Sequence, residues 1–167
     1  KRIKAPFFCA QLRLLDGQFK NHWSATFSEV REKLEALKKN VSLPINVFVM
    51  TDLPEGNWTG NYLGDLSSGG YFKLHVLSET DELVIRTAKK LVTTGHRNRL
   101  ELSMNTGGGS KRQKNCLNLE LPDALLYIEK AVCSCASLGF SGTAGSTIAE
   151  SIELMRSFGA CSDQGQA

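Results

Sequence analysis

Hydrophobic positions along the chain switch between a dense or alternating spacing and a helical one. Residues 5–15 hold the run Phe7-Phe8-Cys9-Ala10 and then Leu12-Arg13-Leu14-Leu15, which predicts a strand buried on both faces. Over residues 26–39 the apolar positions Phe27, Val30, Leu34 and Leu37 recur at helical spacing, with most charged residues between them. Residues 45–50, Ile-Asn-Val-Phe-Val-Met, predict a second strand closed by Thr51-Asp52, which sets polar side chains at its carboxyl edge. Residues 54–70 are rich in Gly, Asn and Ser and predict a long loop with a short helical turn near Leu63. A third strand is expected over 71–77 and a helix over 81–91. Ser78 or Thr80 would cap that helix, and Leu83, Val84, Ala88 and Leu91 would face inward. The pattern breaks over 92–115, where His96, Arg97, Arg99, Lys111, Arg112 and Lys114 surround Gly107-Gly108-Gly109. A flexible basic insertion is expected there, the alternative being a basic lid over an anionic ligand. A helix over 121–136 follows, with Pro122 in its first turn and Leu125, Ile128 and Val132 as its stripe. A short strand over 138–142 leads into a last helix, whose Ile148, Ile152 and Met155 share a face. The order β-α-β-loop-β-α-α-β-α predicts an α/β fold, a Rossmann-like parallel sheet with flanking helices.

Composition narrows the class of protein. A chain of 167 residues, 41% hydrophobic and 22% charged, is large enough for one domain with a real core. A net charge of +3, with bases and acids interleaved, gives no sign of a nucleic-acid partner. No stretch is long and apolar enough to cross a membrane, and the opening Lys1-Arg2-Ile3-Lys4 runs straight into a strand, as an excised piece of a longer protein would. The five cysteines lack a C-x-x-C spacing, so zinc is not expected. One or two disulfides are possible, and the odd count leaves at least one thiol. Two sequons, Asn40-Val41-Ser42 and Asn57-Trp58-Thr59, fall in expected loops and favour a lumenal or secreted chain.

The chemistry gathers at two places. Arg13 lies near the carboxyl end of the first strand, the end where parallel sheets bind ligands; a buried Arg there meets either an anion or a local carboxylate such as Asp16. The stretch Phe140-Ser141-Gly142-Thr143-Ala144-Gly145-Ser146-Thr147 reads as strand end, small-residue turn and helix start. Ser146 or Thr147 would be the N-cap, with Glu150 placed to complete a capping box. A helix start suits a phosphate. There is no Walker-type loop, no G-x-G-x-x-G after the first strand and no G-x-S-x-G elbow. His22, His75 and His96 lack metal-ligand spacing, and no Asp-x-Asp is present to hold a metal-diphosphate. What remains is a metal-free anion site built from Arg13 and the helix opening at Ser146-Thr147.

Three blocks then carry a family resemblance: Gln11-Leu12-Arg13, Val47-Phe48-Val49-Met50-Thr51-Asp52, and the stretch from Phe140 to Ile148 with Ile152 and Arg156 downstream. Together they resemble the C-terminal half of the GDP-fucose protein O-fucosyltransferases, especially the plant-type members, from about Pro6 to Arg156. The resemblance implies the donor-binding lobe of a two-lobe GT-B glycosyltransferase, a single nucleotide-sugar-binding lobe over residues 1–167, with an N-terminal lobe of the same chain missing. It implies GDP-fucose as donor, a protein or glycan hydroxyl as acceptor, no metal or other cofactor, and a Golgi or ER lumen location in a membrane-anchored or secretory-pathway protein. Arg13 takes the place of the family's catalytic Arg on the diphosphate. Ser146 and Thr147 take that of the phosphate-holding pair, and Ile148 stands beside the base. Glu129 matches the acidic residue that contacts the nucleoside, with Asp123 the alternative. The sequence departs from the family pattern at Gln11 for His, at Ile148 for an aromatic residue and at Glu129 for Asp, which keeps open a catalytically inactive nucleotide-sugar or glycan-binding relative.

Overall fold

The computed structural model describes residues 5–15, 17–21, 23–58, 62–105 and 121–161. Four strands, β1 (Phe7–Leu12), β2 (Ile45–Thr51), β3 (Phe72–His75) and β4 (Gly139–Gly142), form one parallel sheet in the order β3-β2-β1-β4. All six residues of β1 are buried, as an inner strand covered on both faces requires. Its register sets Cys9 against Phe48 of β2 and Phe140 of β4, and Gln11 against Met50 and Gly142. The helices are α1 (Trp23–Lys38), α2 (Tyr62–Ser68), α3 (Glu82–Asn105), α4 (Leu121–Ser134) and α5 (Thr147–Ser157). The alternation of parallel strands and helices is the Rossmann-like α/β arrangement that the hydrophobic spacing predicts.

Strand pleating sorts the side chains into two layers. Phe8, Ala10 and Leu12 of β1 join Val47 and Val49 of β2, Phe27, Val30 and Leu34 of α1, and Leu63 and Leu66 of α2 in one core. The opposite face of β1 carries Cys9, which is disulfide-bonded to Cys133 of α4, and Gln11, which bonds to the start of α5. A second disulfide, Cys135–Cys161, joins the end of α4 to the chain beyond α5. Arg156 of α5 also donates to the carbonyls of Cys133 (3.1 Å) and Ala136 (2.8 Å), satisfying acceptors at the end of α4.

The chain divides into two compact units. Lys1–Val76 with Glu129–Ala167 hold the sheet, α1, α2, α5 and the last turns of α4; Leu77–Ile128 hold α3 and the first turns of α4. In the second unit Val84, Ala88, Ala124 and Ile128 are buried, whereas Leu83, expected inward, is 50% exposed. The helix expected to stop at residue 91 runs on as α3 to Asn105. Thr93 and Thr94, inside the stretch where the hydrophobic pattern breaks, bond through their hydroxyls to the carbonyls of Lys89 (2.8 Å) and Lys90 (2.9 Å) and so sit within the helix. The flexible insertion expected over 92–115 therefore begins as helix, and its residues 106–115 lie outside the described residues. No described helix is long and apolar enough to cross a membrane.

Candidate functional site

In the order β3-β2-β1-β4 the chain leaves β1 for β2 on one side and comes back to β4 on the other. Strand order reverses between β1 and β4, and in open parallel sheets the crevice at the carboxyl ends of such a pair is where ligands bind. Arg13 directly follows β1, and Thr143 directly follows β4. The two ends are stitched together. The Thr143 N–H donates to both the backbone oxygen (3.0 Å) and the side-chain Oε1 (3.1 Å) of Gln11. The Thr143 hydroxyl accepts from the Arg13 N–H (2.9 Å) and donates to the Gln11 backbone oxygen (3.3 Å). Gln11 Nε2 donates to Ser146 Oγ (3.3 Å). From the other flank, Asp52 at the end of β2 accepts the N–H groups of Leu14 (2.8 Å) and Leu15 (3.1 Å). The half-buried Arg13 is thus held by its own N–H to Thr143, and the two residues after it by the Asp52 carboxylate.

The turn into α5 depends on two glycines for different reasons. A Cβ on Gly142 would lie 2.5 Å from Ala149 Cβ and 3.2 Å from Gln11 Oε1, so only glycine lets β4 pass under the first turn of α5. Gly145 has φ +74°, in the left-handed region, with open space around it. Ser146 is the N-cap of α5 by position and is buried, but its side chain makes no cap hydrogen bond. The capping box expected at Ser146 is not formed by its hydroxyl, which instead accepts from Gln11. Thr147, the first residue of α5, is exposed, and Ile148 is half-buried. The structure thus brings Arg13, Ser146 and Thr147 to one sheet edge. Glu129 is carried by α4 and is buried, and desolvation raises its pKa to about 8.

On the α1 side of this edge lies a cavity of about 340 Å³ lined by Phe19, Thr26, Glu29, Thr143 and Ala144 among others. Glu29 accepts from Lys33 (2.7 Å) and from the buried Ser141 (2.9 Å). The Lys33 hydrogen bond is the main cause that holds its carboxyl below the usual range, against a smaller opposing desolvation. Among the described residues no group of three or more His, Cys, Asp or Glu is placed to hold a metal ion. Sequence reasoning did not find the roles of Gln11, Thr143 and Asp52. The Thr51-Asp52 strand ending was the available signal for the last; the bonds of Gln11 span more than 130 residues and leave no local pattern.

Among characterised proteins, O-fucosyltransferase 30 of Arabidopsis thaliana is 57% identical over 163 residues, 96% of this chain. The chain belongs to the plant-type O-fucosyltransferase family. It spans about a third (32%) of the length of that relative. No protein-family model matches the chain, and no solved structure matches it. In this chain the described sheet edge is built by residues far apart in sequence, Gln11 to Leu15 and Gly142 to Ile148, with Asp52 between them along the chain.

Proposed function

We propose that this chain is the donor-binding part of a glycosyltransferase that takes fucose from GDP-fucose and passes it to a protein or glycan hydroxyl. The observation that carries this reading is the joining of the Arg13 backbone and the Ser146-Thr147 helix start through Thr143 and Gln11 at the switch point of the sheet. The named activity of the Arabidopsis relative supports the choice of sugar. Departure of the nucleotide leaves negative charge on the diphosphate. The Arg13 guanidinium would grip two phosphate oxygens, and the first-turn N–H groups of α5 with the Ser146 and Thr147 hydroxyls would meet the others. Such donors stabilise the leaving group without requiring a metal. Ile148 would lie against the base and Glu129 would accept from the nucleoside. The acceptor site and any general base would lie largely in an N-terminal lobe of a longer protein, and the cavity beside Thr143-Ala144 offers room for part of a bound sugar. The two disulfides support a lumenal setting, since such bonds persist in oxidising compartments.

Calorimetry and donor turnover of the full-length protein test this. GDP and GDP-fucose are expected to bind in preference to UDP, with chelator present. Arg13→Ala is expected to lower kcat on the order of 10²–10³-fold, as loss of one oxyanion donor does. Preference for UDP overturns the donor, and equal turnover by Arg13→Ala overturns the role of Arg13. The second reading, a non-catalytic relative, rests on the departure at Gln11; GDP-fucose binding with no turnover or hydrolysis would select it.

A further inference from the structure

Gln11 is a buried polar side chain, 2% exposed, in a strand whose other five residues are apolar. Its amide can be oriented without ambiguity. The Thr143 N–H can only donate, so the Gln11 atom 3.1 Å from it is the oxygen. The amide nitrogen then faces Ser146 Oγ and donates to it. A hydroxyl that accepts one hydrogen bond still has its own proton to give. Ser146 does not use its side chain to cap α5, where that hydroxyl would have acted as an acceptor.

We propose that Gln11 is a positioning residue for the donor diphosphate: it holds the Ser146 hydroxyl as an acceptor and thereby presents the hydroxyl proton to a phosphate oxygen at the start of α5. The inference rests on the donor-site reading above and goes beyond it by assigning the direction of one proton. Replacing Gln11 by His, Met or Ala alters shape as well as polarity. Gln11→Glu keeps the shape and keeps an acceptor for the Thr143 N–H. An ionised carboxylate cannot donate to Ser146, however; it takes the Ser146 proton itself and removes it from the phosphate.

The test is a double-mutant cycle on GDP affinity in the full-length protein, with Gln11→Glu, Ser146→Ala and both together. At pH 8 Gln11→Glu is expected to weaken GDP binding more than about tenfold, from the lost charge-assisted bond and the added negative charge. The charge acts equally with or without the Ser146 hydroxyl; the lost bond does not. The loss caused by Gln11→Glu is therefore expected to be several-fold smaller in the Ser146→Ala background. On acidification the affinity of the variant is expected to recover toward wild type as the introduced carboxyl gains a proton it can donate. The charged groups on the elements meeting here, Arg13 after β1, Asp52 after β2, Glu29 and Lys33 on α1, Glu129 on α4, whose pKa burial raises to about 8, and Glu150 and Arg156 on α5, are shared by variant and wild type, so the difference between their pH profiles belongs to the carboxyl introduced at position 11. Additive losses, or a variant whose affinity follows the wild-type pH profile, overturn the proposal. If Gln11→Glu does not fold, Gln11→Met removes the donor to Ser146 while Thr143 keeps the Gln11 backbone oxygen as acceptor, and its loss of GDP affinity is again expected to shrink in the Ser146→Ala background. If wild type binds no GDP, both the donor-site reading and this inference fall; if Arg13→Ala weakens GDP but positions 11 and 146 do not couple, only this inference falls.

Discussion

Glu129 shows how much one buried group can make stability depend on pH. It is 7% exposed, and burial raises its pKa from 4.5 to about 8. Between those values the unfolded chain has released the proton and the folded chain still holds it. The folded state binds more protons there, so stability falls as pH rises from about 4.5 and levels off above about 8. At pH 7 the cost is on the order of 3–4 kcal/mol, taking about 1.4 kcal/mol per pH unit over the 2.5 units from 4.5 to 7. Glu129→Gln keeps the shape and has no charge to form. In urea denaturation of the full-length protein, the variant is expected to match wild type near pH 4.5 and to gain on it steadily up to pH 8. Parallel pH profiles for the two proteins would show that Glu129 is not the source. Other single residues act through backbone groups: Asp52 takes two N–H groups from the segment after Arg13, and Arg156 takes two carbonyls from the end of α4.

Among the elements, the crossing of β4 and α5 is the tightest constraint. Gly142→Ala would drive a methyl into Ala149, at 2.5 Å, and against Phe140, at 2.9 Å. A loss of about 1–3 kcal/mol is expected from such overpacking, with weaker GDP binding because α5 must shift from Gln11. Ala149→Gly in the same chain is expected to restore part of both. Gly145→Ala has open space and fails for torsional reasons, costing about 1–2 kcal/mol, and Ala149→Gly is expected to do nothing for it. Equal rescue of both variants would mean that the contact with Ala149 is not what matters at Gly142. The small residues of this stretch announced a close approach in the sequence, and the buried runs of β1 and β2 announced a parallel sheet. The same local signals failed at Ser146, where a distant partner decided the outcome: it has the sequence of an N-cap, yet its hydroxyl is engaged by Gln11, 135 residues earlier in the chain. Past residue 91 the miss is local: the hydroxyls of Thr93 and Thr94 find carbonyls one turn back and α3 continues. Arg13 and Ser146 could be singled out separately by residue type; that Thr143 joins them follows from β1 and β4 being neighbours, which no spacing along the chain encodes.

At the scale of the whole molecule, two disulfides fix what the hydrogen bonds at the sheet edge only align. Cys133 and Cys135 are two apart, so they point in different directions and take different partners, Cys9 on β1 and Cys161 beyond α5. Five cysteines alone could not assign that pairing, because each candidate pair depends on where α4 lies against the sheet. Cys133 stands four residues after Glu129 and shares its helix face, while Cys9 shares a strand face with Gln11. The Cys9–Cys133 bond therefore ties the face of α4 that carries Glu129 to the face of β1 that leads to Arg13. It also closes a loop with a sequence separation of 124, against 26 for Cys135–Cys161. By loop entropy the longer one contributes about 5 kcal/mol and the shorter about 3.5. Replacing Cys9 and Cys133 by Ala is thus expected to cost about 1–1.5 kcal/mol more in denaturant stability than replacing Cys135 and Cys161. The first replacement is also expected to lower GDP affinity more, because it frees Glu129 relative to Arg13. Peptide mapping without reductant would identify the two pairs directly. A smaller stability loss for the Cys9 and Cys133 pair, or equal GDP affinity in the two double variants, would show that this bond does not tie the α4 face to the β1 edge.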